Sequence, residues 1–400
     1  MKVFSSILLF ILCFVASTQL IAKYWSPYLY FDDILFLIIT GISVLDIIIT
    51  NKYSRTYSYL VIAFIIFIFI SFLFNFYSLN AFLSKSFFYA KPLLTFVFVS
   101  YLSNKYMLFE HKKKLYTLFI LICLFSLLEF YIIQYVDRGY IHYFSYSQRY
   151  GYYRASSVTY HPISLGLLAF FGIVIGREVI EDKRKWPYLV FVVSLILTGT
   201  RFVMLLMAVY FIYRFIITKK IVLGHYKFPL KHIYTCLYPF IFFTLFGIST
   251  YVNIKDYHSI RSLSLRSGVE LLLEPKTVVL GTGLGSFGTS ESVLYESEVY
   301  DKIYFPEHYK TLLVSGNNSK AGTENFFFMA LVEFGIFGLL LYYFIILRIP
   351  NKRYLSYFFT FYVLLVVSIT FVYPLNTLPF MYLINIFFPF GRKNNKSISS

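Results

Sequence analysis

The sequence predicts an all-α polytopic membrane protein, with about twelve transmembrane helices and one large extracytoplasmic loop. Three observations carry that prediction. Of the 400 residues, 58% are hydrophobic and 14% charged, against roughly 45–50% and about 25% in soluble domains. Apolar runs near the ~20 residues of a bilayer crossing recur along the chain. Basic residues gather in alternate connecting segments, the pattern left by their retention in the cytoplasm. The net charge of +17 is read as a consequence of that topology, so no nucleic-acid partner is expected. Aromatic residues make up 22%, with 48 Phe and 39 Tyr. Tyrosine suits membrane interfaces, where an apolar ring and a polar tip both find partners.

The candidate spans are 3–22, 32–50, 58–77, 81–103, 115–135, 160–177, 186–200, 201–218, 232–252, 325–347, 354–373 and 375–391. A tight turn at Gly199 must separate 186–200 from 201–218. With the N-terminus inside, most of the 36 Lys and Arg fall on the cytoplasmic side, in clusters such as Lys112-Lys113-Lys114, Lys183-Arg184-Lys185 and Lys219-Lys220. This puts both termini in the cytoplasm. The chain then divides into helices over 1–252, an extracytoplasmic loop over 253–324, further helices over 325–391, and a cytoplasmic tail over 392–400. Cys13, Cys123 and Cys236 all lie in apolar runs and read as small hydrophobes. The first run looks like a retained helix, with no small-residue cleavage site after it.

Charges inside apolar runs each ask for a reason, since one at mid-bilayer costs on the order of 2.5–3.5 kcal/mol. Lys85, Lys91, Glu129, Arg201 and Glu333 are such residues. In this topology all five fall in or near the outer half, Glu333 roughly 12 Å below its helix entrance at 1.5 Å per residue. They form either internal ion pairs that join helices or a polar cavity beneath the large loop. The 136–159 loop adds Arg138, Arg149 and Arg154 among Tyr146, Tyr150, Tyr152 and Tyr153. Guanidinium forks suit phosphate oxygens, although the same arginines could pair with acids.

In the large loop, Ser264 to Leu273 has the spacing of a short helix, with Arg266 and Glu270 one turn apart, and Thr277 to Leu280 is β-prone. Gly283, Gly285 and Gly288 match G-x-G-x-x-G. A dinucleotide site needs a βαβ unit around that match, and none is indicated. The glycines are read as a tight, closely packed turn. His161, before Pro162 at a helix entrance, is a candidate base or ligand, or an interfacial polar residue.

Four stretches together resemble the O-antigen polymerase and O-antigen ligase superfamily of bacterial envelope glycosyltransferases. They are Arg154 with the helix entrance Thr159 to Gly166; Thr198-Gly199-Thr200-Arg201; Arg266 with Pro275, Gly281, Gly283 and Gly285; and Glu324-Asn325 running into Glu333, Gly335 and Gly338. The resemblance covers about 150–340. It implies a GT-C-like fold in the bacterial inner membrane. It also implies a donor glycan on undecaprenyl diphosphate, no cofactor or metal, and a chain-length regulator protein as a partner. Under it, Arg149, Arg154, Arg201 and Arg266 would hold the diphosphate and Asn325 would contact substrate. Glu324 is the first candidate for the general base and His161 the second. Ligases typically carry His directly before that Asn, and Glu324 stands there instead, which favours a polymerase of O-antigen or capsule. A ligase, or a flippase for lipid-linked sugar, is the alternative.

Overall fold

The computed structural model describes residues 55–90, 111–136, 148–157, 162–211, 260–311 and 326–348. It leaves short gaps that include 150–151, 201–202 and 308–309, and adds isolated helical residues between 34 and 45. α1 (Arg55–Phe74) is followed by α2, the helical residues at 79–87 and 89–90. α3 (Lys112–Tyr131) continues in π-helical winding over Ile132–Val136. A two-stranded antiparallel hairpin comes next, β1 (Gln148–Arg149) and β2 (Tyr152–Tyr153), with Arg149 opposite Tyr152. α4 (Pro162–Ile175) passes into a π turn over Gly176–Ile180, and α5 (Trp186–Leu197) follows. The large loop holds α6 (Ile260–Leu271), α7 (Pro275–Leu280), α8 (Ser290–Leu294) and a 3-10 turn at Glu298–Asp301. α9 (Phe326–Arg348) completes the described residues.

Local chemistry sets these boundaries. Pro162 opens α4, and Pro187 and Pro275 lie in the first turns of α5 and α7. A first-turn proline loses no helical hydrogen bond and already has a helical φ. That start overrides the β-prone character of Thr277 to Leu280, which is helix. The helix expected from Ser264 is present as α6. Gly199, at the foot of α5, has φ +58, in keeping with the turn required there.

The number of membrane-crossing helices needs correcting. Among the described residues one helix, Lys112–Val136 with 25 residues, is long and apolar enough to cross a bilayer. Four other apolar helical stretches, Ile62–Phe74, Pro162–Ile175, Trp186–Leu197 and Phe328–Tyr342, have between 10 and 17 residues. The expectation of an all-α polytopic chain with about twelve transmembrane, GT-C-like helices is overturned by this finding. The physical reason is that an apolar run counts residues without regard to where winding stops. The run at 160–177 is α-helix over Pro162–Ile175 and changes winding at Gly176. The run at 186–200 ends as helix at Leu197, and α9 is kinked at Gly335, with φ +68 and ψ −178. The β1–β2 hairpin is a second departure from an all-helical chain. The spans expected at 3–22, 232–252, 354–373 and 375–391 lie outside the described residues.

α3, α4 and α5 pack on one another, and α1 and α7 both pack on α9, which α6 also contacts. α4 is buried along almost its whole length. Its Gly172 lies against the Phe191 ring of α5, so closely that a β-carbon would overlap it. Around α9, Phe64, Tyr89, Phe334 and Tyr342 form an aromatic cluster with centroids 4.4–6.2 Å apart. The large loop has its own core, in which Leu265, Leu271, Phe287, Val299, Tyr300 and Phe305 pack with Phe328 and Val332 of α9. Outward faces stay apolar: Ile65, Phe69 and Leu73 on α1, Leu121 and Leu128 on α3, and Phe337 and Leu340 on α9 are exposed.

The kink in α9 rests on two glycines back to back. A β-carbon on Gly281 would sit 2.1 Å from the carbonyl oxygen of Glu333, and one on Gly335 would sit 2.5 Å from that of Val279. Both have positive φ, +74 and +68. Gly281→Ala and Gly335→Ala should each destabilise the protein by at least roughly 1–3 kcal/mol, the usual cost of such backbone strain. Gly41→Ala, in helix with open space around it, should be neutral or gain up to about 1 kcal/mol. Unfolding midpoints of the three purified variants check this, and equal midpoints would remove the close approach from the account.

Candidate functional site

The glycine segment after α7 is where distant parts of the chain converge. The Ser71 hydroxyl of α1 donates to the Leu280 carbonyl at 3.0 Å, and Asn75 Nδ2 donates to that of Gly281 at 3.2 Å. Tyr77 Oη donates to the Gly285 carbonyl. From the other side, Thr282 and Gly283 donate their N–H groups to the carbonyls of Val332 and Glu333, at 2.9 and 3.1 Å. The kink at Gly335 leaves these carbonyls of α9 available, because the regular ladder is interrupted there. The Glu333 side chain completes the joint. Its Oε1 accepts the Gly285 N–H at 2.9 Å and its Oε2 accepts the Tyr89 hydroxyl at 2.5 Å. Glu333 is fully buried and Lys85 is 1% exposed, and Lys85 lies beside Gly285, where a β-carbon would sit 3.1 Å from its Cγ. Lys85 and Tyr89 are four residues apart in α2 and so share a helix face. The tight turn expected of the glycines is present, and its function is to let main chain approach main chain.

A second joint lies between α3 and α5. Glu129 of α3 is buried, and its Oε2 accepts the Ser157 N–H at 2.6 Å while Oε1 accepts the Ser156 hydroxyl at 3.2 Å. Ser157 has φ +54, so the chain is bent to deliver that N–H. Three residues earlier, Arg154 Nε donates to the Thr198 carbonyl at 2.5 Å and Nη2 to Thr200 Oγ1 at 3.0 Å. The cation thereby meets the negative end of the α5 dipole. Ala155 N–H donates to the Leu197 carbonyl, and the Tyr152 hydroxyl reaches that of Ile196 at 3.3 Å. This segment fixes the direction in which the chain leaves α5, immediately before Arg201.

Of the residues expected to act on substrate, Arg154 therefore sits in the second joint with its fork engaged at the end of α5. Arg149 lies in β1. Arg266 is half-buried on α6, two residues before Gly268, which packs against Phe328 and Val332. Arg201, His161, Glu324, Asn325, Lys91 and Arg138 lie outside the described residues. Of the five charges noted in apolar runs, Lys85 and Glu333 come together, while Glu129 pairs with serines. Sequence reasoning did not find Tyr89, Ser156 or Ser157. The four-residue step from Lys85 to Tyr89 was a usable signal, whereas nothing sets Ser156 and Ser157 apart from other serines.

The large loop is closed by Tyr300. Its hydroxyl accepts the Gly288 N–H at 3.0 Å and bonds Ser292 Oγ at 2.8 Å, and its ring stacks on Phe287. Burial pushes the phenol up to about 12 from an ordinary 10.0. The chain matches no protein-family model, no curated protein and no solved structure.

Because the folded phenol titrates above the unfolded one, the stability Tyr300 contributes is complete below pH 10.0 and is lost as pH rises towards about 12. Protection of 286–305 against hydrogen exchange should fall over that window in the wild type. Tyr300→Phe should lose roughly 1–3 kcal/mol at neutral pH, since Gly288 N–H and Ser292 are left without this partner. A Phe variant as stable as wild type would contradict both statements.

Proposed function

We propose that this chain is a membrane-embedded glycosyltransferase of the bacterial inner membrane. In this reading it polymerises a surface polysaccharide, O-antigen or capsule, by moving glycan from undecaprenyl diphosphate onto another lipid-linked repeat unit. The observation that carries the reading is how the four stretches behind the family resemblance associate. Arg154 bonds Thr198 and Thr200, which joins the first stretch to the second. Gly281, Gly283 and Gly285 meet Glu333 and Gly335, which joins the third to the fourth. Stretches up to about fifty residues apart in sequence thus form two built joints. The exposed apolar faces of α1, α3 and α9 support a lipid environment, since patches of this kind are rare on soluble monomers.

The chemistry asks for a group that bears the departing diphosphate and a base for the acceptor hydroxyl. The acceptor oxygen attacks the anomeric carbon, the bond from that carbon to the diphosphate oxygen breaks, and the hydroxyl proton passes to the base. Guanidinium groups stabilise the diphosphate charge that develops as the bond breaks. Arg201, Arg266 and Arg149 take this role. Arg154 is a positioning residue, holding the turn that carries Arg201. Glu324, or His161 in its place, accepts the proton, and Asn325 orients the acceptor.

Purified protein given only lipid-linked repeat units should build a ladder of longer lipid-linked chains without nucleotide sugar or metal. Arg154→Lys keeps the charge but not the planar fork. It should slow the ladder by roughly tenfold or more, as loss of one charge-assisted bond worth about 1.5–3 kcal/mol implies. Long lipid-linked glycan accumulating in a deletion strain would instead make the protein a ligase. Single repeats trapped on the cytoplasmic leaflet would make it a flippase.

A further inference from the structure

A polar cleft of about 160 Å³ opens between the end of α1, the start of α7 and the 3-10 turn. Its walls include Asn75, Tyr77, Glu274, Lys276, Glu298 and Lys302. By volume it would hold about five waters at ~30 Å³ each, the bulk of a single sugar ring. The charges balance, two lysines against two glutamates, and amide and hydroxyl groups of both donor and acceptor kind lie between them. Such a lining suits a neutral polyhydroxylated ligand and is poorly suited to a diphosphate, which would face two carboxylates. Lys276 donates to the Phe74 carbonyl at 3.2 Å, and Glu274 accepts from Thr277 at 3.5 Å. By contrast, the side chains of Glu298 and Lys302 make no hydrogen bond or ion pair among the described residues. They are four residues apart and both line the cleft, an acceptor and a donor open to a ligand.

The cleft shares its back wall with the first joint. Asn75, which lines it, also donates to the Gly281 carbonyl, and Thr282, which lines it too, donates to that of Val332. Material bound here lies directly against the glycine segment that Glu333 holds.

We propose that the cleft is a saccharide subsite, holding one uncharged pyranose ring of the glycan through Glu298, Lys302 and the ring face of Tyr77, apart from the arginines assigned to the diphosphate. It rests on the glycosyl-transfer reading for its substrate but not for its chemistry of recognition.

The test uses the full-length protein in detergent and one repeat unit of the host's own surface glycan, released as the free oligosaccharide. Saturation-transfer NMR should show contact with wild type. Glu298→Ala and Lys302→Ala, both at exposed positions, should each weaken binding at least fivefold, and the pair at least twentyfold, while unfolding midpoints stay unchanged. Inorganic pyrophosphate in excess should leave the sugar signals in place. Unchanged binding in the double variant, or displacement by pyrophosphate, would overturn the subsite. The two readings separate cleanly. Wild type that binds the oligosaccharide in this manner but builds no ladder refutes the polymerase and keeps the subsite. A double variant that builds the ladder as readily as wild type refutes the subsite and keeps the polymerase.

Discussion

The Glu333 carboxylate is the constraint on which the described structure depends. A carboxylate with no exposed surface is costly unless its oxygens are satisfied, and here each oxygen has a donor from a different part of the chain. Gly285 brings the loop and Tyr89 brings α2, while the main chain of the same residue receives Gly283. Remove the carboxylate and the N–H of Gly285 and the hydroxyl of Tyr89 both lose a partner in a place water does not reach. The kink at Gly335 and the glycine at 281 are the steric conditions for this arrangement, because a β-carbon at either position would press on backbone.

The Glu129 joint repeats the same physical solution. A carboxylate on an apolar helix captures the N–H of a segment bent through positive φ, Gly285 at +79 in one case and Ser157 at +54 in the other. In each case a short irregular segment is pinned to a rigid helix without lengthening it. The consequence for function is positional. The first joint fixes the floor of the large loop and its polar cleft, and the second fixes Arg154 and hence the turn that leads to Arg201. Placing chemistry on short irregular segments held by helices is a common way to gain accuracy without rebuilding the scaffold.

Much of this was legible in the sequence as a set of exceptions. Glu129, Lys85 and Glu333 stood out because a charge in an apolar run demands compensation. The glycines of 281–288 stood out because so many in so short a stretch imply close backbone approach. Helix α6 and the turn at Gly199 followed from spacing and turn chemistry. Helix length was not legible. Apolar runs of about twenty residues contain a kink at Gly335, a change of winding at Gly176 and an early stop at Leu197, and composition does not register any of them. Gly335 inside an apolar run signals interruption as well as belonging to a motif. Thr277 to Leu280 misled because β propensity reports a preference for a pleated surface that tertiary context readily overrides. Partners such as Tyr89 stayed hidden among 39 tyrosines, since choosing one requires knowing which helices meet.

Hydrogen exchange over 281–288 in Glu333→Ala and Glu333→Gln tests the central claim most directly. The account predicts that Ala speeds exchange of the Gly285 amide by roughly 5- to 150-fold, the equivalent of about 1–3 kcal/mol for an unmet buried donor. Gln, which keeps an acceptor oxygen, should fall between Ala and wild type. Wild-type protection throughout 281–288 in a folded Ala variant would show that the segment is held without Glu333, and would contradict the account.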